Sequence, residues 1–189
     1  IRKDPPFDVP YLHLAHLMAY AKRDTFVFND PAGLRSANEK LFAMRFEDLM
    51  PDTVVTRSRE RIRAFMSEQP NGRCVLKPID GYGGRNIFVL DSDDRNCGAI
   101  IDSMTGEGSE RVVCQEYMPE ARKGDKRIML LEGQPLGAIL RVPSSSDHRG
   151  NLHVGGQPQG STLTNRDQQI CKEIADELNE FGLWFAGID

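Results

Sequence analysis

Lys77, the glycines at 81, 83 and 84 and the arginines at 127 and 141 are the residues whose types and spacing point to chemistry. The stretch Cys74-Val75-Leu76-Lys77-Pro78-Ile79-Asp80-Gly81-Tyr82-Gly83-Gly84-Arg85-Asn86-Ile87-Phe88-Val89-Leu90 reads as an apolar strand ending in a lysine, a glycine-rich turn and a second apolar strand. Three glycines within four positions let the backbone take positive φ and bring its N–H groups close to a ligand that any Cβ would hold off. With a lysine at its rim, the loop suits phosphate. It is not a Walker loop, because no Gly-Lys-Ser/Thr follows and the next element reads as a strand, not a helix. A tight hairpin with a solvated lysine is the competing reading, and the loop by itself weighs the two about equally. Arg127 and Arg141 lie near the beginning and the end of a second hairpin, 124–142, with Glu132-Gly133 at its turn. Two arginines on paired strands can converge on one anion, and the guanidinium fork suits carboxylate or phosphate. A surface ion-pair ladder is the alternative, but these strands mostly lack acidic partners for it.

The elements that must position these residues follow from periodicity and caps. A first helix is expected from about Pro10 to Arg23, with Leu14, Leu17 and Met18 on one face. His13 and His16 sit one turn apart there and read as part of a helix face, since no third metal ligand is apparent. Ser36-Ala37-Asn38-Glu39 matches the capping box S-x-x-E and announces a helix carrying Lys40, Leu41, Phe42, Phe46 and Leu49. Lys40 falls in its first turn, where the helix dipole disfavours a cation by up to about 1 kcal/mol, so it either reaches for an anion or is an ordinary exposed lysine. Val54-Val55 is a short strand, and Ile62, Phe65 and Met66 mark a helix ending before Pro70-Asn71-Gly72. Arg111 to Met118 begins as a buried strand and is stopped by Pro119. The long polar stretch from Pro143 to Pro158 reads as a lid, with His148 and His153 on its surface. Thr164-Asn165-Arg166-Asp167 is a capping box with Asp for Glu; it opens a helix with Ile170, Ile174, Leu178 and Phe181 facing the core and Gly182 as C-cap. Leu183 to Asp189 reads as a strand.

The chain has 189 residues, a formal net charge of -4 and four cysteines. The acidic balance argues against nucleic acid as the main partner, and no apolar run approaches transmembrane length, so a soluble, cytoplasmic protein is the expectation. Cys74, Cys97, Cys114 and Cys171 show no C-x-x-C spacing and read as reduced core residues. The chain opens inside Ile1-Arg2-Lys3-Asp4-Pro5-Pro6-Phe7-Asp8 without a methionine and stops in a strand; it reads as a fragment cut at both ends.

Asn38-Glu39-Lys40-Leu41-Phe42, Leu76 to Gly84, Gln115 to Pro119, Gly124-Asp125-Lys126-Arg127, Arg149-Gly150-Asn151 and Gly187-Ile188-Asp189, in this order and spacing, resemble the ATP-grasp ligases, and within them the bacterial glutathione synthetases. Arg2 to Asp8 also resembles that family's segment leading from its N-terminal domain. The resemblance spans nearly the whole chain and implies an α+β ATP-grasp fold, two α+β subdomains with nucleotide between them, truncated at both ends. Residues 1–33 would end the N-terminal domain and connect it, and residues 34–189 would form an ATP-grasp domain incomplete at its C-terminus.

The resemblance also assigns roles. Lys40 and Lys77 would hold the ATP phosphates, with Gly81, Gly83 and Gly84 closing over them. Gln115, Glu116, Tyr117 and Met118 would receive adenine through backbone groups, and Asp125 would contact ribose. Arg127 and Arg141 would be catalytic, on the transferring phosphate and the substrate carboxylate, and Arg141, Arg149, Gly150 and Asn151 would bind substrate. Asp189 would be the first of the acids that bind Mg²⁺, or Mn²⁺ in its place; the family's further ligands, a Glu-x-Asn pair, would lie beyond this chain. The implied activity is ATP-dependent ligation of γ-L-glutamyl-L-cysteine and glycine through an acyl phosphate, by a homo-oligomer with no nucleic-acid or membrane partner. Another ATP-grasp ligase, acting on D-alanine or on a protein terminus, and a non-catalytic nucleotide-binding module are the alternatives.

Overall fold

In chain order the helices are α1 (Val9–Ala21), α2 (Pro31–Ser36), α3 (Glu39–Ala43), α4 (Arg59–Glu68), α5 (Cys97–Met104) and α6 (Asn165–Glu180). The strands are β1 (Thr53–Thr56), β2 (Arg73–Pro78), β3 (Phe88–Asp91), β4 (Val112–Glu116), β5 (Asp125–Leu131), β6 (Gln134–Val142), β7 (Gln157–Ser161) and β8 (Phe185–Ile188). The computed structural model describes residues 5–144 and 155–189. Residues 39–119 build one unit; residues 1–38 with 120–189 build a second.

In the 39–119 unit an antiparallel sheet of order β1-β4-β2-β3 carries helices on one face. Strand alternation decides which residues those helices cover. Cys74 and Leu76 of β2, Leu90 of β3 and Val112 and Cys114 of β4 pack with Ile62, Phe65 and Met66 of α4 and Cys97 and Ile101 of α5 in one buried cluster. Ile62, Leu76 and Ile101 are fully buried, each worth roughly 1.5–3 kcal/mol of transfer free energy. Val75 and Lys77 of β2 therefore stand on the opposite face, with Gln115 and Thr53. α4 matches the expectation and is capped by Ser58, whose Oγ accepts from the Arg61 N–H at 3.1 Å. α5 has no counterpart in the sequence reading, and its N-cap, Asn96, makes no side-chain cap bond that could have announced it. The helix expected to carry Lys40 through Leu49 is broken: α3 spans five residues and gives way to a 3-10 segment, Met44–Leu49, with Phe46 out of helical geometry.

The second unit has an antiparallel sheet of order β7-β6-β5-β8. Ile128 and Leu130 are buried, and Lys126 on the same face meets Asp167 of α6 at 2.6 Å. Asp125 and Arg127 consequently face away from α6. Thr164 and Asp167 close the expected capping box: the Asp167 N–H donates to Thr164 Oγ1 at 3.1 Å and the Thr164 N–H donates to Asp167 Oδ2 at 2.7 Å. The other end of α6 is a Schellman turn, with Leu183 N–H on the Leu178 carbonyl, Gly182 N–H on the Asn179 carbonyl and Gly182 at φ +66°. β7 lies in what reads from sequence as loop; its Pro158 is tolerated because β7 is an edge strand.

The expected capping box at Ser36 is corrected by the structure. Ser36 ends a helix, with its Oγ donating to the Ala32 carbonyl at 3.0 Å. That helix, α2, starts earlier: Asp30 is its N-cap, accepting from the Ala32 N–H at 2.8 Å, and Pro31 takes the first turn where its missing N–H costs nothing. Asp30-Pro31 was the available signal. The expected apolar face of α1 is also narrower: Leu17 is exposed and Ala15 is the buried residue.

Burial raises the Asp167 carboxyl, but the Lys126 ammonium and the Thr164 bonds outweigh it and hold it below the ordinary 3.8. A carboxyl depressed in the folded state stabilises above its unfolded value, and that stability is lost as pH falls through the folded value. The urea midpoint of the wild type is therefore expected to drop below about pH 4 more steeply than that of Asp167→Asn. Parallel pH profiles for the two proteins would exclude this carboxyl as a source.

Candidate functional site

The glycine-rich loop joins β2 to β3, and the strands pair in the register Arg73↔Asp91 through Leu76↔Phe88. Gly83 at φ +62° and Gly84 at φ +78° take the left-handed conformation that the loop reading requires, and Asn86 joins them at φ +55°. A Cβ at Gly81 would stand 2.3 Å from Pro78 Cγ, so position 81 is glycine for space. Lys40 reaches this loop: its ammonium donates to the Ile79 carbonyl at 3.0 Å, to the Gly81 carbonyl and to Glu39 Oε1 at 3.3 Å. The lysine placed against the dipole of α3 is thus compensated by carbonyl oxygens at the base of the loop. On the loop's rim Arg85 stacks over the Tyr82 ring at 5.2 Å.

Lys77, on the face of the sheet opposite α4 and α5, donates to Gln115 Oε1 at 2.6 Å. Gln115 Nε2 in turn donates to Thr53 Oγ1 at 2.8 Å, and Thr53 Oγ1 donates to the Pro51 carbonyl at 2.7 Å. The Gln115 side chain, read from sequence only as part of a hinge, is therefore bonded to the lysine. Glu116 ends β4 with its N–H on the Asp52 carbonyl at 2.8 Å; Tyr117 and the exposed Met118 follow it.

A second charged cluster occupies the face of the other sheet turned away from α6. Arg141 stands directly opposite Asp125 in the β5/β6 register and grips it with two nitrogens, Nε to Oδ1 at 3.0 Å and Nη2 to Oδ2. Asp189, one residue beyond the Ile128–Ile188 pair, accepts from Arg127 Nε and, at 2.6 Å, Nη2, and lies 2.7 Å from Arg141 Nη2. The arginines do converge on one carboxylate. The expectation that these strands lack acidic partners is corrected: Asp125 comes from the strand itself, and Asp189 follows directly on β8, about sixty residues from Arg127 in sequence. Arg141 is only 6% exposed. Burial lowers the pKa of its guanidinium, but the bonds and charges of Asp125 and Asp189 raise it further, so the cation is retained. Gly187 makes room for this arrangement, since a Cβ there would lie 3.1 Å from Arg127 Cδ.

Arg149, Gly150 and Asn151, with His148 and His153, fall outside the described residues. His13 and His16 are exposed on α1. Among the described residues no three His, Cys, Asp or Glu side chains gather as a metal cage, and no helix is long and apolar enough to cross a membrane. The four cysteines are buried and unpaired in disulfides. Contact with Cys74 and burial push the Cys114 thiol up, away from a reactive thiolate.

Residues 39–189 match the family model described as prokaryotic glutathione synthetase, ATP-grasp domain, and residues 1–35 match that of the same family's N-terminal domain. The glutathione synthetase of Thermosynechococcus vestitus is 44% identical over 190 residues, covering 100% of this chain and 59% of that protein. The glutathione synthetase of Gloeobacter violaceus is 46% identical over 195 residues, covering 100% of this chain and 60% of that protein. The chain thus spans about three fifths of the length of these curated relatives. Among solved structures, the ATP-grasp ligase PsnB complexed with minimal precursor, Mg and ADP aligns with a TM-score of 0.64 at 21% identity, over 92% of this chain and 53% of that one. That likeness shows the ATP-grasp fold.

Proposed function

Because the chain belongs to the prokaryotic glutathione synthetase family, we propose that it serves the ATP-dependent joining of γ-L-glutamyl-L-cysteine to glycine. Residues 34–189 then form its ATP-grasp domain, and residues 1–33 the end of the preceding domain and the connection. The structural observation that carries the proposal is the convergence of Arg127 and Arg141 on Asp189. It is a preorganised cationic fork beside a carboxylate, suited to a step in which a phosphoryl group is transferred between oxygens.

In this reading Lys40 and Lys77 hold the phosphates of ATP, and the loop from Gly81 to Gly84 brings backbone N–H groups to them. Gln115, Glu116, Tyr117 and Met118 receive adenine, and Asp125 the ribose. A carboxylate has about four acceptor positions, so Asp125 can serve a hydroxyl while it holds Arg141. The substrate carboxylate attacks the γ-phosphorus, the bond to the β-phosphate oxygen breaks, and ADP leaves. Arg127 and Arg141 stabilise the charge that develops on the transferring oxygens. The amine of glycine then attacks the acyl carbon and phosphate departs, with Arg149, Gly150 and Asn151 assigned to the acyl phosphate. No protein nucleophile is required, in keeping with buried, inert thiols.

The donor chemistry at Asp189 fits magnesium, a hard cation that one or two carboxylates and substrate phosphates commonly share. When bound, Mg²⁺ or Mn²⁺ neutralises charge on the triphosphate. The same reading has the protein act on small molecules, as a homo-oligomer in the cytoplasm.

The test is ADP release by the full-length gene product with ATP and Mg²⁺, with and without γ-glutamylcysteine and glycine. Release that requires both substrates is the expected result. Nucleotide binding without release on this pair would move the function to another ATP-grasp ligase or to a non-catalytic module.

A further inference from the structure

We propose that Thr53 is a positioning residue for the phosphate-facing ammonium of Lys77, acting through the side-chain amide of Gln115. The inference rests on the nucleotide-binding reading above. Three strands contribute one residue each: Thr53 starts β1, directly opposite Gln115 on β4, and Gln115 is opposite Val75, two residues before Lys77 on β2. Alternation puts all three side chains on the same face of the sheet, away from α4 and α5. The link from Lys77 Nζ to Gln115 Oε1 is 2.6 Å, that from Gln115 Nε2 to Thr53 Oγ1 is 2.8 Å and that from Thr53 Oγ1 to the Pro51 carbonyl is 2.7 Å.

The direction of this relay is set by donor and acceptor inventory. An ammonium can only donate, so the amide must present oxygen, not nitrogen, to Lys77. A glutamine amide is free to turn over unless its other end is specified. The Thr53 hydroxyl specifies it, because its single proton is committed to the Pro51 carbonyl and its lone pairs are left to accept from the amide NH₂. Turning the amide over would set N–H against N–H at Lys77 and oxygen against an acceptor at Thr53. The hydroxyl of β1 therefore fixes which end of Gln115 meets the lysine on β2. A neutral amide at 115 also holds the ammonium without adding a counter-charge, as a carboxylate there would.

The test compares Thr53→Val, which keeps the shape and loses the hydroxyl, with Thr53→Ser, which keeps the hydroxyl. Equilibrium binding of ATP with Mg²⁺ is measured by calorimetry on the full-length gene product, with a melting curve for each protein. Thr53→Val is expected to weaken ATP about tenfold, the loss of one aligned contact, and Thr53→Ser to bind as wild type. Gln115→Leu is expected to weaken ATP comparably, and the double variant Thr53→Val/Gln115→Leu to be no weaker than Gln115→Leu, since the relay is already broken. Wild-type affinity in Thr53→Val overturns the proposal, as do effects that add in the double variant. Should Thr53→Val fail to fold, wild-type affinity in Gln115→Leu overturns it equally. A full-length wild-type gene product that binds no ATP overturns the nucleotide reading itself, which separates that failure from failure of the relay.

Discussion

Replacing Arg127 with alanine in the complete enzyme is expected to lower turnover about 10²- to 10³-fold, the range seen when one preorganised charge-stabilising group is lost. Arg127 projects from β5 on the face away from α6 and engages Asp189 through two nitrogens, so its orientation is set before any substrate arrives. In the proposed reaction, charge developing on the transferring oxygens would meet a guanidinium that need not reorganise, and alanine would leave water in its place. The variant should still fold, because Arg127 is half-buried and Asp189 keeps Arg141 at 2.7 Å. Arg127→Lys retains the charge without the planar fork and is expected to recover only part of the loss. The measurement is kcat at saturating ATP, acid and amine, beside a melting curve for each protein. Near-normal turnover in Arg127→Ala would remove Arg127 from the catalytic role.

The largest expected effect on stability is at Gly33, in the middle of α2. A Cβ there would lie 1.8 Å from the Phe181 carbonyl oxygen and 3.0 Å from its carbon, both backbone atoms at the end of α6. Alanine can only be admitted if α2 moves away from that turn. The move would break a junction held by Asp30, which caps α2, pairs with Lys22 and donates its N–H to the Gly182 carbonyl at 2.9 Å. Alanine gains about 1 kcal/mol of helix propensity over glycine, but overpacking against fixed backbone costs up to about 3 kcal/mol, and the net expected loss is about 2 kcal/mol. The control is Gly160→Ala on β7, where a Cβ would meet nothing within 4 Å and the change should stay within about 0.5 kcal/mol. Equal urea midpoints for Gly33→Ala and wild type would refute the close approach of α2 to the α6 turn.

What could be read from the residues alone was what depends on neighbours a few positions away. Thr164 and Asp167 announced α6 because a capping box closes within four residues, and Gly182 announced its end because a Schellman turn needs a positive φ at that position. The strand, glycine loop and strand around Lys77 were legible for the same reason, as was α4 with Ile62, Phe65 and Met66. Local patterns also misled where a stronger local signal lay just upstream. Ser36 matched a capping box, but Asp30-Pro31 had already started a helix, and Ser36 became its last turn. The polar sequence of β7 carries no strand preference of its own; it is a strand because β6 supplies its hydrogen bonds.

The composition of the site was in the sequence: lysines, glycines, arginines and an aspartate in a recognisable order. Their partnerships were decided only by the tertiary structure. That Asp189 answers Arg127 and Arg141 depends on β8 pairing with β5, and that Thr53 governs Gln115 depends on β4 lying between β1 and β2. Residue types limit which bonds a side chain can make, while strand order and register decide which groups come within the roughly 3 Å at which those bonds form.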